Sequence, residues 1–112
     1  MSWDAVPDAI ESIRLHLGLG YGEIGRMFGV PGQTVRAWAS GELAATEEYA
    51  AKISEAHGAL LRLLRLVRPD RLPQVVRRPA EAFGGRCALD LIMEGRIAEV
   101  AETFEAILEH WR

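Results

Sequence analysis

Residues 20–41 read Gly-Tyr-Gly-Glu-Ile-Gly-Arg-Met-Phe-Gly-Val-Pro-Gly-Gln-Thr-Val-Arg-Ala-Trp-Ala-Ser-Gly, and the fold follows from how this stretch is punctuated. Ile24 and Phe28 stand four apart, so both face one side of a short helix over Tyr21–Phe28. Gly29-Val30-Pro31-Gly32 cannot continue it, because glycine favours a left-handed stop and proline lacks the amide that a helix interior needs. A second short helix over 33–39 stops at Gly41. Within this pair Gly25 is small enough for the second helix to come close, Gly29 takes a turn where a side chain would clash, and Val30 fills the corner. Val35 and Trp38 anchor the second helix in the core, which leaves Gly32, Gln33, Thr34, Arg36 and Ala37 pointing outward. These features define a helix-turn-helix, and the outward set is the face that a recognition helix lays into a DNA major groove. Gln33 suits an adenine edge, and Arg36 suits guanine or a phosphate. The same motif also serves as plain scaffold, so a DNA-facing reading and a scaffold reading both stand at this point.

Outward from the motif the chain reads as all-α. Val6, Ile10, Ile13 and Leu17 fall at helical spacing before it, and Gly18, Leu19 and Gly20 stop that helix. After the motif, Thr46 caps a long helix whose positive end carries Glu47 and Glu48, and Tyr49, Ile53, Leu60, Leu64 and Val67 continue its apolar face past a bend expected at Gly58. Pro69 ends it. Leu72, Val75 and Val76 make a short apolar turn, Pro79 and Gly84-Gly85 bracket an irregular connection, and residues 87–94 form a short helix closing at Gly95. Ile97, Val100, Ala101, Phe104, Ile107, Leu108 and Trp111 then form a regular stripe opposed by Glu99, Glu102, Glu105 and Glu109, which fits core packing and a partner interface equally. No period-two alternation and no hairpin turn signal occurs. The expected architecture is a helix-turn-helix bundle over 1–68 followed by a small helical unit over 69–112.

At 112 residues, 49% of them hydrophobic and 26% charged, the chain can bury a core and is too short for a large multi-step enzyme. No apolar run approaches the ~20 residues that cross a bilayer, since Arg62, Arg65 and Arg68 interrupt the longest one. The start, Met-Ser-Trp-Asp, lacks the pattern of a secretory signal, and a single cysteine, Cys87, forms no internal disulfide, so a reducing cytoplasm is expected. The net charge of −3 hides a block pattern: −4 over residues 1–58, +5 over 59–86 with seven arginines, and −4 over 87–112. A basic middle block meets phosphates or an acidic protein; equally, its arginines solvate a helix face and pair with neighbouring carboxylates. The first block holds only Arg14, Arg26, Arg36 and Lys52 as cations, too few for one copy to grip DNA, so a dimer or larger assembly presenting two recognition helices is expected.

His16, His57 and His110 lie far apart with no Cys or His at ligand spacing, so no metal site is expected. With no strand there is no phosphate loop following one, and no Gly-x-Ser-x-Gly is present. Cys87 at a helix start reads as inert packing. The expectation is a non-enzyme with no cofactor.

The stretch Arg78-Pro79 through Phe83-Gly84-Gly85-Arg86-Cys87-Ala88-Leu89-Asp90-Leu91-Ile92-Met93-Glu94-Gly95-Arg96, then Val100, joined to the helix-turn-helix, resembles the antitoxins of the MbcA/ParS/Xre type over about residues 10–108. The resemblance implies an Xre-like helix-turn-helix followed by a toxin-binding domain, neutralisation of a RES-domain toxin that consumes NAD, and repression of the operon by the complex. Gly29, Val30, Thr34, Val35 and Trp38 match the DNA-binding half. Gly85, Arg86, Leu89, Asp90 and Gly95 match the toxin-binding motif. Cys87-Ala88 stands where the family has Ser-Pro, which weakens the expected helix cap and first-turn proline. Where the resemblance implies that a carboxy-terminal end obstructs the toxin's active site, only His110, Trp111 and Arg112 remain for that task. The sites expected from the sequence are therefore Gly32, Gln33, Thr34, Arg36 and Ala37 for DNA, and Gly85, Arg86, Asp90, Trp111 and Arg112 for a toxin. The alternative is a free-standing helix-turn-helix regulator whose carboxy-terminal domain only dimerises.

Overall fold

A computed structural model of the chain describes residues 5–110. Its elements are α1 (Ala5–Leu17), α2 (Tyr21–Phe28), α3 (Gly32–Ser40), α4 (Glu47–Leu66), α5 (Leu72–Val75), a 3-10 turn (Glu81–Phe83), α6 (Ala88–Met93) and α7 (Ile97–His110). Among the described residues the only β pairing is an isolated antiparallel bridge between Pro79 and Cys87.

Local chemistry explains where the helices begin and end. α2 ends because Gly29 sits at φ +73°, a left-handed conformation that closes the helix through its amide to the Gly25 carbonyl region and that a branched residue would resist. α4 begins where the Thr46 hydroxyl accepts the Tyr49 amide at 3.3 Å, and Glu47 and Glu48 lie in its first turn against the positive end of the dipole. The helix then runs as one element through Gly58, so the expected bend does not interrupt it. Gly58 is exposed and has nothing near it that would force a kink.

α4 is the spine. At 20 residues it is about 30 Å long, against a molecule 44 Å in its longest dimension, and both α1 and α7 pack along it. Ala56 of α4 neighbours Ile97 and Ala98, Arg62 bonds Glu105, and Leu66 neighbours Leu108, so α4 and α7 run in the same direction. The buried residues form one core, from Val6, Ile10 and Ile13 through Ile24, Val35 and Trp38 to Leu60, Leu63, Leu72, Val76, Ile92 and Val100. Helices on both sides of the 68/69 boundary thus share apolar contacts. Trp38 binds α3 to this core through Phe28, edge-on at 6.5 Å, and Tyr49, tilted at 5.4 Å. The last stripe divides along its length: Ile97, Val100 and Ala101 are buried, Phe104 and Ile107 half-buried, and Leu108 exposed.

Candidate functional site

The close approach of α2 and α3 is set by backbone against backbone. A methyl group at Gly25 would overlap the Val30 carbonyl oxygen and press on Gly32 N and Pro31 C at 3.2 and 3.3 Å. Val30 packs half-buried against the core at the corner, and its amide bonds the Gly25 carbonyl at 2.9 Å. Val35 and Trp38 are buried beneath α3, while Gln33 and Arg36 are exposed and Thr34 and Ala37 half-buried. Gly32 departs from the outward placement expected for it. The direction a Cβ would take there runs into Gly22, with Cα at 3.0 Å and N at 3.1 Å, because the first residue of α3 lies directly on the first turn of α2.

Arg36 does not project alone. Its guanidinium lies 5.3 Å from the centroid of the Tyr21 ring, and that of Arg14 lies 5.6 Å from the same ring. The Tyr21 hydroxyl donates to Glu11 Oε1 at 2.7 Å, and Arg14 donates to Glu11 Oε2 through Nε at 3.0 Å and through Nη2 at 2.9 Å. Arg14, and next the Tyr21 hydroxyl, hold the Glu11 carboxyl below the usual carboxylate range, and that carboxylate raises Tyr21 above an ordinary phenol. The arrangement fixes the Tyr21 ring as a platform under Arg36 and neutralises Arg14 locally. Gly20 N donates to Glu23 Oε1 at 3.0 Å, so the N-cap amide of α2 is bonded from within the chain. The sequence offers Arg14 only as a cation and Tyr21 only as a helix start, and does not single out Glu11; the spacing of Glu11 and Tyr21 across a turn carries no helical signature.

The second candidate region is the turn from Pro79 to Arg96. The Ala80 amide bonds the Arg86 carbonyl at 3.1 Å and the Gly85 amide bonds the Ala80 carbonyl at 3.0 Å, closing a loop that presents Gly85 and Arg86 at the surface. Cys87 occupies the N-cap position of α6, and its side chain makes no cap hydrogen bond to the helix. Asp90 Oδ2 accepts both the Cys87 amide at 3.2 Å and the Cys87 thiol at 3.3 Å, and these two donors, the thiol first, hold the Asp90 carboxyl below the usual range. Only the Asp90 half of the reciprocal cap is made; with no hydroxyl at position 87, no N-cap side chain accepts a first-turn amide. Arg86 pairs with Glu94, which also accepts from Arg96 at 3.1 Å, and Arg96 pairs with Glu99 at 2.7 Å. The structure thus brings Gly85 and Arg86, on the loop, near Asp90, in the first turn of α6, all three exposed. Glu94, at the hub of the ion pairs, was not singled out in the sequence. Trp111 and Arg112 lie outside the described residues.

Between the two regions sits Arg77. Its guanidinium donates to the carbonyls of Pro73 at 2.7 Å, Leu17 at 2.9 Å and Gly18 at 3.1 Å, tying the segment after α4 to the turn between α1 and α2. Among the described residues no polar or charged side chain is fully buried, and no group of His, Cys, Asp and Glu is placed to hold a metal ion. No helix among them is long and apolar enough to cross a membrane.

The fold and these sites define an all-helical protein in which a helix-turn-helix and a compact carboxy-terminal helical segment pack on one long helix. No protein-family pattern and no curated protein matches the chain in sequence. In three dimensions it is similar to a chain of the crystal structure of the M. tuberculosis MbcT-MbcA toxin-antitoxin complex, with a TM-score of 0.64, 19% sequence identity, and coverage of 93% of this chain and 94% of that one. The likeness therefore spans both regions in a single superposition.

Proposed function

We propose that this chain is the antitoxin of a type II toxin–antitoxin pair. The reading rests on one observation: the fold likeness to a chain of a toxin–antitoxin complex covers nearly the whole of both chains, helix-turn-helix and carboxy-terminal segment together. In this reading the unit over 69–112 grips a RES-type, NAD-consuming toxin through exposed Gly85, Arg86 and Asp90, with Trp111 and Arg112 extending the contact. The unit over 1–68 reads operator DNA through Gln33, Thr34, Arg36 and Ala37, with Gly32 seating the helix, and the complex represses its own operon in the cytoplasm. Gln33 and Arg36 are supported as readers by their exposure above a buried Val35 and Trp38. The scarcity of free cations on α1–α3 supports a dimer, or a complex with the toxin that supplies a second copy.

The test is co-expression with the neighbouring gene. Growth arrest by that gene alone, relieved by this chain and accompanied by stable copurification, is the expected result. A neighbour that is harmless, or whose toxicity this chain leaves unchanged, overturns the antitoxin reading.

A further inference from the structure

The structure gives the basic middle block a geometry that the helix-turn-helix lacks. In a helix-turn-helix complex the first helix crosses the phosphate backbone, and phosphate contacts supply most of the affinity. Here Glu23 takes the Gly20 amide at the start of that helix and Glu11 takes Arg14 of the neighbouring α1, which leaves Arg26, in the last turn of α2, as the exposed cation of the helix itself. Arg77, however, is bonded to the carbonyls of Leu17 and Gly18, at the turn leading into α2, and Pro73 lies against Gly18 as well. The α5 segment is thereby docked beside the backbone-crossing end of the motif. Flanking Arg77 in sequence are Arg71, at the start of α5, and Arg78; both are exposed, and neither makes an ion pair or side-chain hydrogen bond among the described residues. Arg62, Arg68 and Arg86, by contrast, pair with Glu105, Asp70 and Glu94.

We propose that Arg71 and Arg78 form the phosphate-binding flank of the DNA interface, held beside the helix-turn-helix by the Arg77 contacts. The inference rests on the DNA-binding half of the proposed function and adds where its missing charge comes from. A chain segment assigned by sequence to the carboxy-terminal unit then serves the amino-terminal one.

The experiment is a salt-titrated gel shift with the full chain on two duplexes, one covering the region upstream of its own gene and one scrambled duplex of equal length. Replacing both residues, Arg71→Gln with Arg78→Gln, should weaken binding to the two duplexes alike. The loss should be about tenfold per arginine at 0.1 M salt, and the slope of log affinity against log salt should fall by about 1 per phosphate contact removed. Arg36→Ala should instead weaken the upstream duplex more than the scrambled one. An unchanged slope in the double variant, with wild-type binding intact, overturns this inference and leaves the recognition helix standing. No binding by the wild-type chain to either duplex overturns the DNA reading and this inference with it. Loss of toxin neutralisation with DNA binding unchanged overturns the assignment in favour of a protein partner. A thermal melt of each variant separates these outcomes from misfolding, and exposed Arg71 and Arg78 should leave the melting temperature unmoved.

Discussion

Gly25→Ala and Gly58→Ala are the same substitution in helix interiors, and the structure assigns them opposite signs. Replacing glycine by alanine in a helix ordinarily stabilises by about 0.5–1 kcal/mol, because the unfolded chain has fewer conformations to lose. Gly58 is exposed and a new methyl there meets nothing within 4 Å, so Gly58→Ala should show that gain. At Gly25 the methyl meets the Val30 carbonyl oxygen, Pro31 C and Gly32 N, all backbone, and no side-chain rotation relieves it. The turn and α3 must back away by roughly an ångström to restore ordinary contact distances, lengthening the bond from Val30 N to the Gly25 carbonyl and loosening Val35 and Trp38 from the core. Overpacking of this kind costs about 1–3 kcal/mol, so after the helical gain a net loss of about 1–2 kcal/mol remains. Urea unfolding followed by circular dichroism reads this directly, and a thermal melt should fall by roughly 4–8 °C. A Gly25→Ala chain as stable as wild type would refute the claim that backbone contact limits the α2–α3 distance.

Arg36→Ala should weaken binding to the upstream duplex by about 1–3 kcal/mol without changing the melting temperature, and an unaltered gel shift would remove α3 from the DNA contact. Glu11, Glu94 and Glu105 have carboxyls depressed chiefly by Arg14, Arg86 and Arg62 respectively. A depressed folded-state value contributes stability that is complete above the unfolded carboxylate range and is lost as pH falls through the folded values. Stability should therefore be level near neutrality and decline below about pH 4–5, with Arg62→Met flattening that decline; identical acid limbs in urea unfolding would contradict it. Ending the chain at Glu109 should cost several kcal/mol of toxin affinity, since Trp and Arg concentrate interface energy, while DNA binding through Gln33 and Arg36 persists. Full protection by the shortened chain in the co-expression assay would move the grip to Gly85, Arg86 and Asp90.

The helices were legible wherever chemistry is local. Gly29, Gly41 and Thr46 mark their own helix ends, and the apolar spacing of Val6, Ile10, Ile13 and Leu17 needs no knowledge of what covers it. The placement of Gly32 was not legible, because a helical wheel knows the face of one helix and not that Gly22 of another lies against it. The same limit hid the Arg77 contacts to the end of α1, whose acceptors, the Leu17 and Gly18 carbonyls, lie some 60 residues distant in sequence. It also hid the platform under Arg36, built by Glu11 and Tyr21 from two helices. At Cys87 the sequence pointed to a weakened cap, and the side chain there caps no first-turn amide; what the sequence did not show is that Asp90 at the third position accepts both the Cys87 amide and its thiol.

The single core that α4 shares with α1 and α7 has an evolutionary consequence. Under the proposed function, a substitution that refits α7 to a changed toxin would loosen or tighten Leu60 and Leu63, and through the shared core the packing that seats α3. The whole domain is held by the roughly 5–15 kcal/mol typical of its size, so every change in partner fit draws on the same reserve that keeps the recognition helix in place. Stabilising changes far from either surface, such as alanine at Gly58, would then precede and permit changes of partner. If the two proposed surfaces meet different molecules, the shared core obliges them to diversify as one lineage.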